Sequence, residues 1–203
     1  MTDKEIYVIN RALDGKDIYM LPSLQELRLS ELLIEGVKER LIIKGILTNF
    51  DELTIQGVSK IKMLKTYKEA EKYVTINNIT IGLAQNKQGV MLMYNPLYKK
   101  YKLEYVNIDN IVDDIVDTYK FFLEGASEYE EAEKEISSIE MEKEFDLGNS
   151  LYLKIEDNKG QKTIECKLFC HNNCIYVYDY TTNVLKKCMT KSIIKMIKEK
   201  VCL

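Results

Sequence analysis

The chain has 203 residues, of which 46% are hydrophobic and 30% are charged, and its formal net charge at pH 7 is −3. This composition allows a sizeable buried core, excludes a disordered chain, and argues against a nucleic-acid binder, because phosphate binding requires a concentrated basic face. No apolar run approaches the ~20 residues needed to span a bilayer, and Met1 to Asp14 contains no signal-peptide core. We therefore expect no membrane association and a cytoplasmic location.

Three helices are expected at the start of the chain, where apolar residues recur at helical spacing. Thr2 and Glu5 match a capping box, in which each side chain accepts a hydrogen bond from the backbone of the other residue. Ser23 and Glu26 repeat this pattern. The predicted helices run from Thr2 to Gly15, from Pro22 to Gly45 and from about Asp51 to Ala70.

The apolar period then changes to the alternation that is typical of β-strands. Asn77-Asn78 interrupts the first alternating segment as a bulge or a turn, and Asn95-Pro96 separates the last two segments. Helical spacing returns from Ile108 to Tyr119. The predicted strands are Tyr73 to Leu83, Gly89 to Tyr94 and Tyr98 to Val106.

The rest of the chain follows the same order of elements. An acidic helix is expected near Ser127 to Ile136, and a last helix is expected from about Lys191 to Val201. The strands predicted between them are Leu151 to Ile155, Thr163 to Phe169 and Ile175 to Tyr180.

Together these elements predict an α+β fold in a single domain, residues 1–203, built of two quasi-repeated halves. Each half, 1–123 and 124–203, is an antiparallel β-meander followed by a helix, and an N-terminal helical segment precedes the first meander. Such units can pair their sheets edge to edge. Because the sequence identity between the halves is weak, a chance resemblance of two generic α+β halves is the alternative.

The residues that could carry chemistry concentrate around His171, the single histidine. Cys166, Cys170 and Cys174 lie near it, and thiolate and imidazole bind zinc, but no C-x₂-C pair is present. Adjacent strand residues point to opposite faces, which separates Cys170 from His171 as a catalytic pair. No phosphate-binding glycine loop occurs. We therefore expect cysteine thiols, no metal, no cofactor and no enzymatic activity, with an enzyme of unknown type as an alternative.

The segment from Met20 to Leu47 contains a Leu-Pro pair before a helix and ends in Lys44-Gly45-Ile46-Leu47. With the next helix and the meander from Val74, it resembles the EspG family of type VII secretion-associated proteins, in its Firmicutes branch. The resemblance covers about residues 1–120 in sequence and the whole chain in layout. It implies a quasi-two-fold architecture and a non-catalytic cytosolic chaperone, whose partner is a helical secreted protein of the WXG type or a related type.

A partner-binding surface is predicted on the turn from Ala84 to Gly89 and on the strand beside it. Polar residues on a turn have few packing duties and are free to serve recognition, and a neighbouring tyrosine offers a rigid contact. In the EspG family a loop between meander strands contacts the substrate, and this turn is the matching place. The predicted binding residues are Gln85, Asn86, Lys87, Gln88 and Tyr94.

A winged-helix-like DNA-binding regulator is the main alternative function. Helices from Ser23 to Lys44 and from Asp51 to Ala70, followed by a hairpin, allow that topology. However, residues 1–68 carry 11 basic and 10 acidic side chains, a net charge of +1, and the third helix contains no arginine to read guanine. Nucleic acid is therefore not expected as a partner, whereas a homodimer is left open.

Overall fold

The computed structural model describes residues 1–84, 88–119 and 133–201, and it shows an α+β protein. Within these ranges, no helix is both long enough and apolar enough to cross a membrane. The helices are α1 (Asp3–Asn10), α2 (Leu24–Leu27), α3 (Glu31–Ile43), α4 (Ile55–Lys68), α5 (Ile108–Thr118), α6 (Ser138–Glu144) and α7 (Thr190–Val201). The strands are β1 (Lys72–Ile76), β2 (Ile79–Leu83), β3 (Gln88–Asn95), β4 (Lys100–Asn107), β5 (Lys134–Glu135), β6 (Ser150–Asp157), β7 (Lys162–His171), β8 (Cys174–Asp179) and β9 (Val184–Cys188).

The strands form one sheet in the order β4-β3-β2-β1-β6-β7-β8-β9-β5, and every neighbouring pair is antiparallel. Strands β1–β4 form one meander and β6–β9 form a second. The pairing of β1 with β6 joins the two meanders, with Val74 opposite Ile155. A helix follows each meander, α5 directly after β4 and α7 soon after β9. The predicted α+β fold with antiparallel meanders is confirmed.

Alternation along the strands gives the sheet two apolar faces, and helices cover both. On one face, named the α5/α7 face, α5 and α7 pack side by side, with Ile111 of α5 and Ile197 of α7 buried against the strands. On the opposite face, α1, α3 and α4 cover the first meander and α6 covers the second. The sheet is therefore the middle of three layers.

The helix predicted from Pro22 to Gly45 is interrupted in the structure. The first part, α2, ends at Arg28, whose φ of +45° is left-handed. Ser30 then opens α3, because its side chain accepts a hydrogen bond from the Leu33 N–H. The capping box of Ser23 and Glu26 is present at the predicted start. A second helix-capping serine therefore divides a segment that hydrophobic spacing alone presents as one helix.

The strands also divide differently from the prediction. Asn77, with a φ of +50°, lies in a tight turn, so the segment predicted as Tyr73 to Leu83 forms two strands, β1 and β2. The second meander contains an unpredicted fourth strand, β9, which follows Asn183 with a φ of +56°. Each meander therefore has four strands.

The acidic helix predicted near Ser127 to Ile136 lies mainly outside the described residues. Where the chain is described, the prediction is wrong, because Lys134–Glu135 forms the strand β5 against β9. Within the described residues, the next helix, α6, follows Ser137, which forms a capping box with Glu140. Pairing with β9 is a long-range contact that local helix signals do not contain.

The pairing of β1 with β6 over five residue pairs makes the two meanders parts of one hydrogen-bonded sheet. We predict that both halves unfold together in urea, in a single transition. Far-UV circular dichroism follows the secondary structure, and tyrosine fluorescence reports the packing of buried rings in both halves, including Tyr73 and Tyr178. The two unfolding curves should coincide. Separate midpoints would contradict the single domain, which remains a prediction.

Candidate partner-binding surface

The predicted binding turn between β2 and β3 lies only partly within the described residues. Gln85, Asn86 and Lys87 are outside them. The Ala84 N–H donates to the Gln88 carbonyl at 3.3 Å, which closes a hairpin at the predicted place, and Gln88 is exposed. A role of this turn in binding remains a prediction.

Tyr94, the fifth predicted residue, lies at the opposite end of β3 from Gln88. Six residues of extended strand correspond to about 20 Å. The Tyr94 N–H donates to the Asn78 carbonyl at 3.0 Å, and the Asn78 side-chain amide donates to the Tyr94 carbonyl at 2.7 Å. Its ring packs against Tyr101, with 4.9 Å between the ring centroids. Gln88 and Tyr94 therefore do not form one compact patch, and only a partner that extends along β3 would contact both.

The hairpin formed by α3 and α4 exposes several large apolar side chains. Scattered exposed apolar residues are normal on a protein surface, whereas a concentration of them is typical of an interaction site. Four nearly fully exposed side chains occur here within one helix–turn–helix segment. They are Leu32 (86% exposed), Ile43 (85%), Phe50 (85%) and Ile55 (92%), and they are named the apolar hairpin surface.

Two members of this surface share one outward face of α3. Leu32 and Ile43 are separated by eleven residues, which places them within about 20° of each other around the helix axis and about 16 Å apart along it. Gly36 lies on the same face between them and carries no side chain. The face therefore presents two exposed aliphatic side chains about three helical turns apart.

The corner between α3 and α4 is held by Thr54. Its side chain caps α4 by accepting from the Gly57 N–H at 3.1 Å, and its hydroxyl donates to the Gly45 carbonyl at 2.6 Å. The end of α3 and the start of α4 are thus fixed against each other. Ile43 and Ile55, which flank this contact, are consequently presented at the same corner.

Phe50 is presented by a short turn that is tied back to α3. The Thr48 N–H donates to the Glu52 carbonyl at 2.8 Å, and this bond closes the turn around Phe50. Lys38 of α3 bonds the Asp51 carboxylate at 2.6 Å. These contacts hold the exposed ring on an ordered support.

The apolar hairpin surface was not predicted, although the sequence contains a signal for it. Val37 and Leu41 belong to the inward stripe of α3 and are buried. Leu32 and Ile43 fall outside that stripe, so apolar residues occupy positions that an ordinary solvent-facing surface would fill with polar ones. The angular position of each apolar residue around the helix, rather than spacing alone, would have predicted that Leu32 and Ile43 are exposed.

A second group of residues, the polar seam, lies between the two meanders on the face opposite α5 and α7. The Lys154 ammonium pairs with Glu156 at 2.5 Å and lies 3.4 Å from the Tyr19 hydroxyl. The Tyr152 hydroxyl donates to Glu165 at 2.7 Å. No buried side-chain nitrogen or oxygen in the described part of the chain lacks a hydrogen-bond partner. The seam thus satisfies its own polar groups, and its bonds connect β6 with β7 and with Tyr19 of the N-terminal segment.

The protonation states of the polar seam follow from burial and from its carboxylates. Burial and Glu156 raise the pKa of Tyr19, and burial and Glu165 raise the pKa of Tyr152. The Lys162 ammonium, followed by Tyr152, lowers the pKa of Glu165. The two tyrosines therefore remain protonated donors and Glu165 remains an ionised acceptor around neutral pH. This pattern suits a joint between the halves better than a proton-transfer site.

The cysteines near His171 are divided between the two faces of the sheet. Cys166 and Cys170 lie on the α5/α7 face, and burial raises the pKa of the Cys166 thiol to about 12. Cys174 lies opposite His171 in the pairing of β7 with β8, on the other face. These three cysteines and Cys188 carry thiols rather than disulfides. Residues 1–84, 88–119 and 133–201 contain no cluster of three His, Cys, Asp or Glu side chains suited to a metal.

The winged-helix alternative requires a helical unit with a projecting hairpin. Here β1 lies between β2 and β6, so the β1–β2 hairpin is inside the sheet and not a free wing. Two lysines of α4 are also bonded within the chain. Lys60 lies 3.4 Å from the Leu103 carbonyl, and Lys68 pairs with Asp14. In the described part of the chain, the β1–β2 hairpin is therefore not a free wing, and the DNA-binding alternative remains a hypothesis.

A family model described as "Domain of unknown function (DUF5081)" matches residues 1–199. This chain belongs to the DUF5081 family. The match includes all nine strands of the sheet and most of α7, so both meanders are part of the family unit. No curated protein matches the chain. The DUF5081 match names no activity or partner, and the resemblance to the EspG family therefore remains a prediction.

Proposed function

We propose that this DUF5081 protein is a non-catalytic cytoplasmic adaptor that binds a helical protein partner through the apolar hairpin surface. The supporting observation is the concentration of four nearly fully exposed apolar side chains on one ordered helical hairpin. Moving one such side chain from water into an apolar environment contributes about 1.5–3 kcal/mol. Binding of a partner that covers all four side chains is favoured by the sum of these contributions, reduced by the free-energy cost of ordering the complex.

An amphipathic helix is the partner element that fits this surface best. Leu32 and Ile43 are about three helical turns apart, so one partner helix packed along α3 contacts both. Glu39 lies between them on the same face and is exposed. A lysine or arginine beside the apolar stripe of the partner would complement that carboxylate and set the orientation of the helix.

We further propose that the partner is a secreted helical protein of the WXG type and that this protein acts as an EspG-like chaperone in type VII secretion. Two features support this. The segment from Met20 to Leu47 resembles the EspG family, and the fold consists of two meanders that are each followed by a helix. A gene neighbourhood without a WXG-type protein and a secretion ATPase would contradict the secretion role, while partner binding would still be tested separately.

The double variant Leu32→Glu, Ile43→Glu tests the surface. We expect it to bind the proposed WXG-type partner at least about tenfold more weakly than the wild type, because two carboxylates would lose hydration in an apolar contact. Isothermal titration calorimetry with both purified proteins measures this. Since both side chains are exposed, the free energy of unfolding should change by less than about 0.5 kcal/mol.

A matched control carries the same chemical change elsewhere. Leu97 and Ile139 are 80% and 64% exposed and lie outside the hairpin, so Leu97→Glu, Ile139→Glu should bind like the wild type. The predicted turn is tested in parallel with Asn86→Ala, Lys87→Ala and with Tyr94→Ala. If the Leu32→Glu, Ile43→Glu variant binds normally and a variant of the turn or of Tyr94 does not, the partner binds at the turn between β2 and β3 or on β3 instead.

A further inference from the structure

The two helices of the α5/α7 face carry opposite charges on their outer sides. The acidic residues of α5 are all exposed, and α5 itself contains no basic residue, so the helix has a net charge of −4; they are Asp109, Asp113, Asp114 and Asp117. The lysines of α7 are also exposed and, with Glu199, give α7 a net charge of +3; they are Lys191, Lys195, Lys198 and Lys200. We propose that this surface pairs with the same surface of a second copy of the chain.

The two helices run in opposite directions. The first residue of α5 follows Asn107, which pairs with Gln88 at one end of the sheet. The last turn of α7 lies at the same end, because Lys72, at the start of β1, donates to the Lys200 carbonyl at 3.0 Å. Within one chain the helices also meet through Asp113 and Lys198, 3.4 Å apart.

A two-fold axis parallel to the helices and midway between them places α5 of one copy over α7 of the other. Each copy then offers a negative helix to a positive one, twice, in an isologous interface. The spacing also matches, because Asp113 and Asp117 are one turn apart on the outermost side of α5, as Lys191 and Lys195 are on α7. A two-fold axis perpendicular to the helices would instead place α5 over α5 and α7 over α7, so that like charges face each other.

The size of this surface predicts a weak dimer. Two helices of 11 and 12 residues are only about 16–18 Å long, so the contact is at the low end of specific interfaces. Its attraction is mainly electrostatic and between exposed groups, since Asp113 is 70% and Lys195 77% exposed. Salt therefore weakens it. The surface is on the opposite side of the sheet from the apolar hairpin surface, so the dimer does not depend on the proposed adaptor function.

Complementary charge reversals test the pairing. One variant carries Asp113→Lys and Asp117→Lys, which changes the net charge of α5 from −4 to 0. The other carries Lys191→Glu and Lys195→Glu, which changes the net charge of α7 from +3 to −1. Sedimentation equilibrium at about 50 mM and about 500 mM NaCl measures self-association. We expect wild-type association to weaken at least about tenfold in high salt, and each variant alone to associate at least about tenfold more weakly than the wild type in low salt.

An equimolar mixture of the two variants separates this pairing from nonspecific charge effects. In the mixed dimer the reversed positions 113 and 117 of one variant face the reversed positions 191 and 195 of the other, and the unchanged charges face each other as in the wild type. The mixture should therefore recover wild-type association in low salt. Circular dichroism should show both variants folded, because exposed ion pairs such as Asp113 with Lys198 contribute little to stability. Monomeric wild-type protein at millimolar concentration, or folded variants whose mixture does not associate, would overturn the proposal.

Discussion

Replacing Gly57 with alanine should lower the free energy of unfolding by about 2–3 kcal/mol, although alanine is the better helix former. A Cβ atom at this position would lie 2.3 Å from the Ile46 carbonyl oxygen and 2.9 Å from Leu53 Cδ2. The Ile46 carbonyl cannot retreat freely, because it accepts from the Thr54 N–H at 3.1 Å and from the Thr54 hydroxyl at 3.2 Å. The first turn of α4 must therefore move away from the α3–α4 connection.

Gly36→Ala in α3 is the matched control for Gly57→Ala. Both glycines lie within helices, but a Cβ atom at Gly36 would meet only the Arg40 guanidinium, at 4.0 Å. Alanine there should raise the free energy of unfolding by about 0.5–1 kcal/mol, because it reduces the conformational entropy of the unfolded chain. Urea unfolding of both variants measures the difference. Equal effects at the two positions would show that the close approach at Gly57 is relieved without loss of stability.

Replacing Lys44 with methionine should lower the free energy of unfolding by about 2 kcal/mol at pH 7. The carboxylate of Glu5 is almost completely buried, and the Lys44 ammonium bonds both of its oxygens at 2.7 Å. Breaking a buried ion pair typically costs about 3–5 kcal/mol, and we reduce this figure because Lys44 is partly exposed and Arg40 remains 3.7 Å from the carboxylate.

The cost of Lys44→Met should depend on pH. Burial by itself raises the pKa of Glu5, but Lys44 and the Thr2 N–H outweigh burial and hold that pKa below its usual value. In the wild type, Glu5 therefore adds stability above its unfolded-state pKa of about 4.3, and this contribution is lost as the pH falls through the lower folded pKa. Without Lys44, burial dominates and the folded pKa of Glu5 rises. Protonation of Glu5 as the pH falls then removes the unpaired buried charge, so the variant is less destabilised at low pH.

The difference in unfolding free energy between wild type and Lys44→Met should consequently shrink between pH 7 and about pH 4. Urea unfolding at a series of pH values measures it. Lys62→Met is a matched control, because Lys62 is exposed on α4 and its loss should change stability by less than about 0.5 kcal/mol at every pH. A difference that is constant with pH would show that Lys44 stabilises the fold by packing rather than through Glu5.

Local features of this fold were predicted where the relevant contacts are close in sequence. The capping boxes of Thr2 with Glu5 and of Ser23 with Glu26 span three residues, and both are present. Strand β9 was not predicted, because its Val-Leu-Lys-Lys-Cys sequence does not alternate and its Lys187 is nearly buried. That burial depends on tertiary packing, including the pairing of β9 with β8, which the local sequence does not show.

The sequence by itself determined the α+β class, the capped helix starts and most strand segments, since hydrophobic period and capping act within a few residues. Tertiary structure alone decided the joining of the meanders through β1 and β6, the exposure of Leu32 and Ile43, and the placement of acidic α5 beside basic α7. Each of these depends on which distant segment covers a surface. Such coverage is set by the packing of the whole chain, and a residue's near neighbours do not encode it.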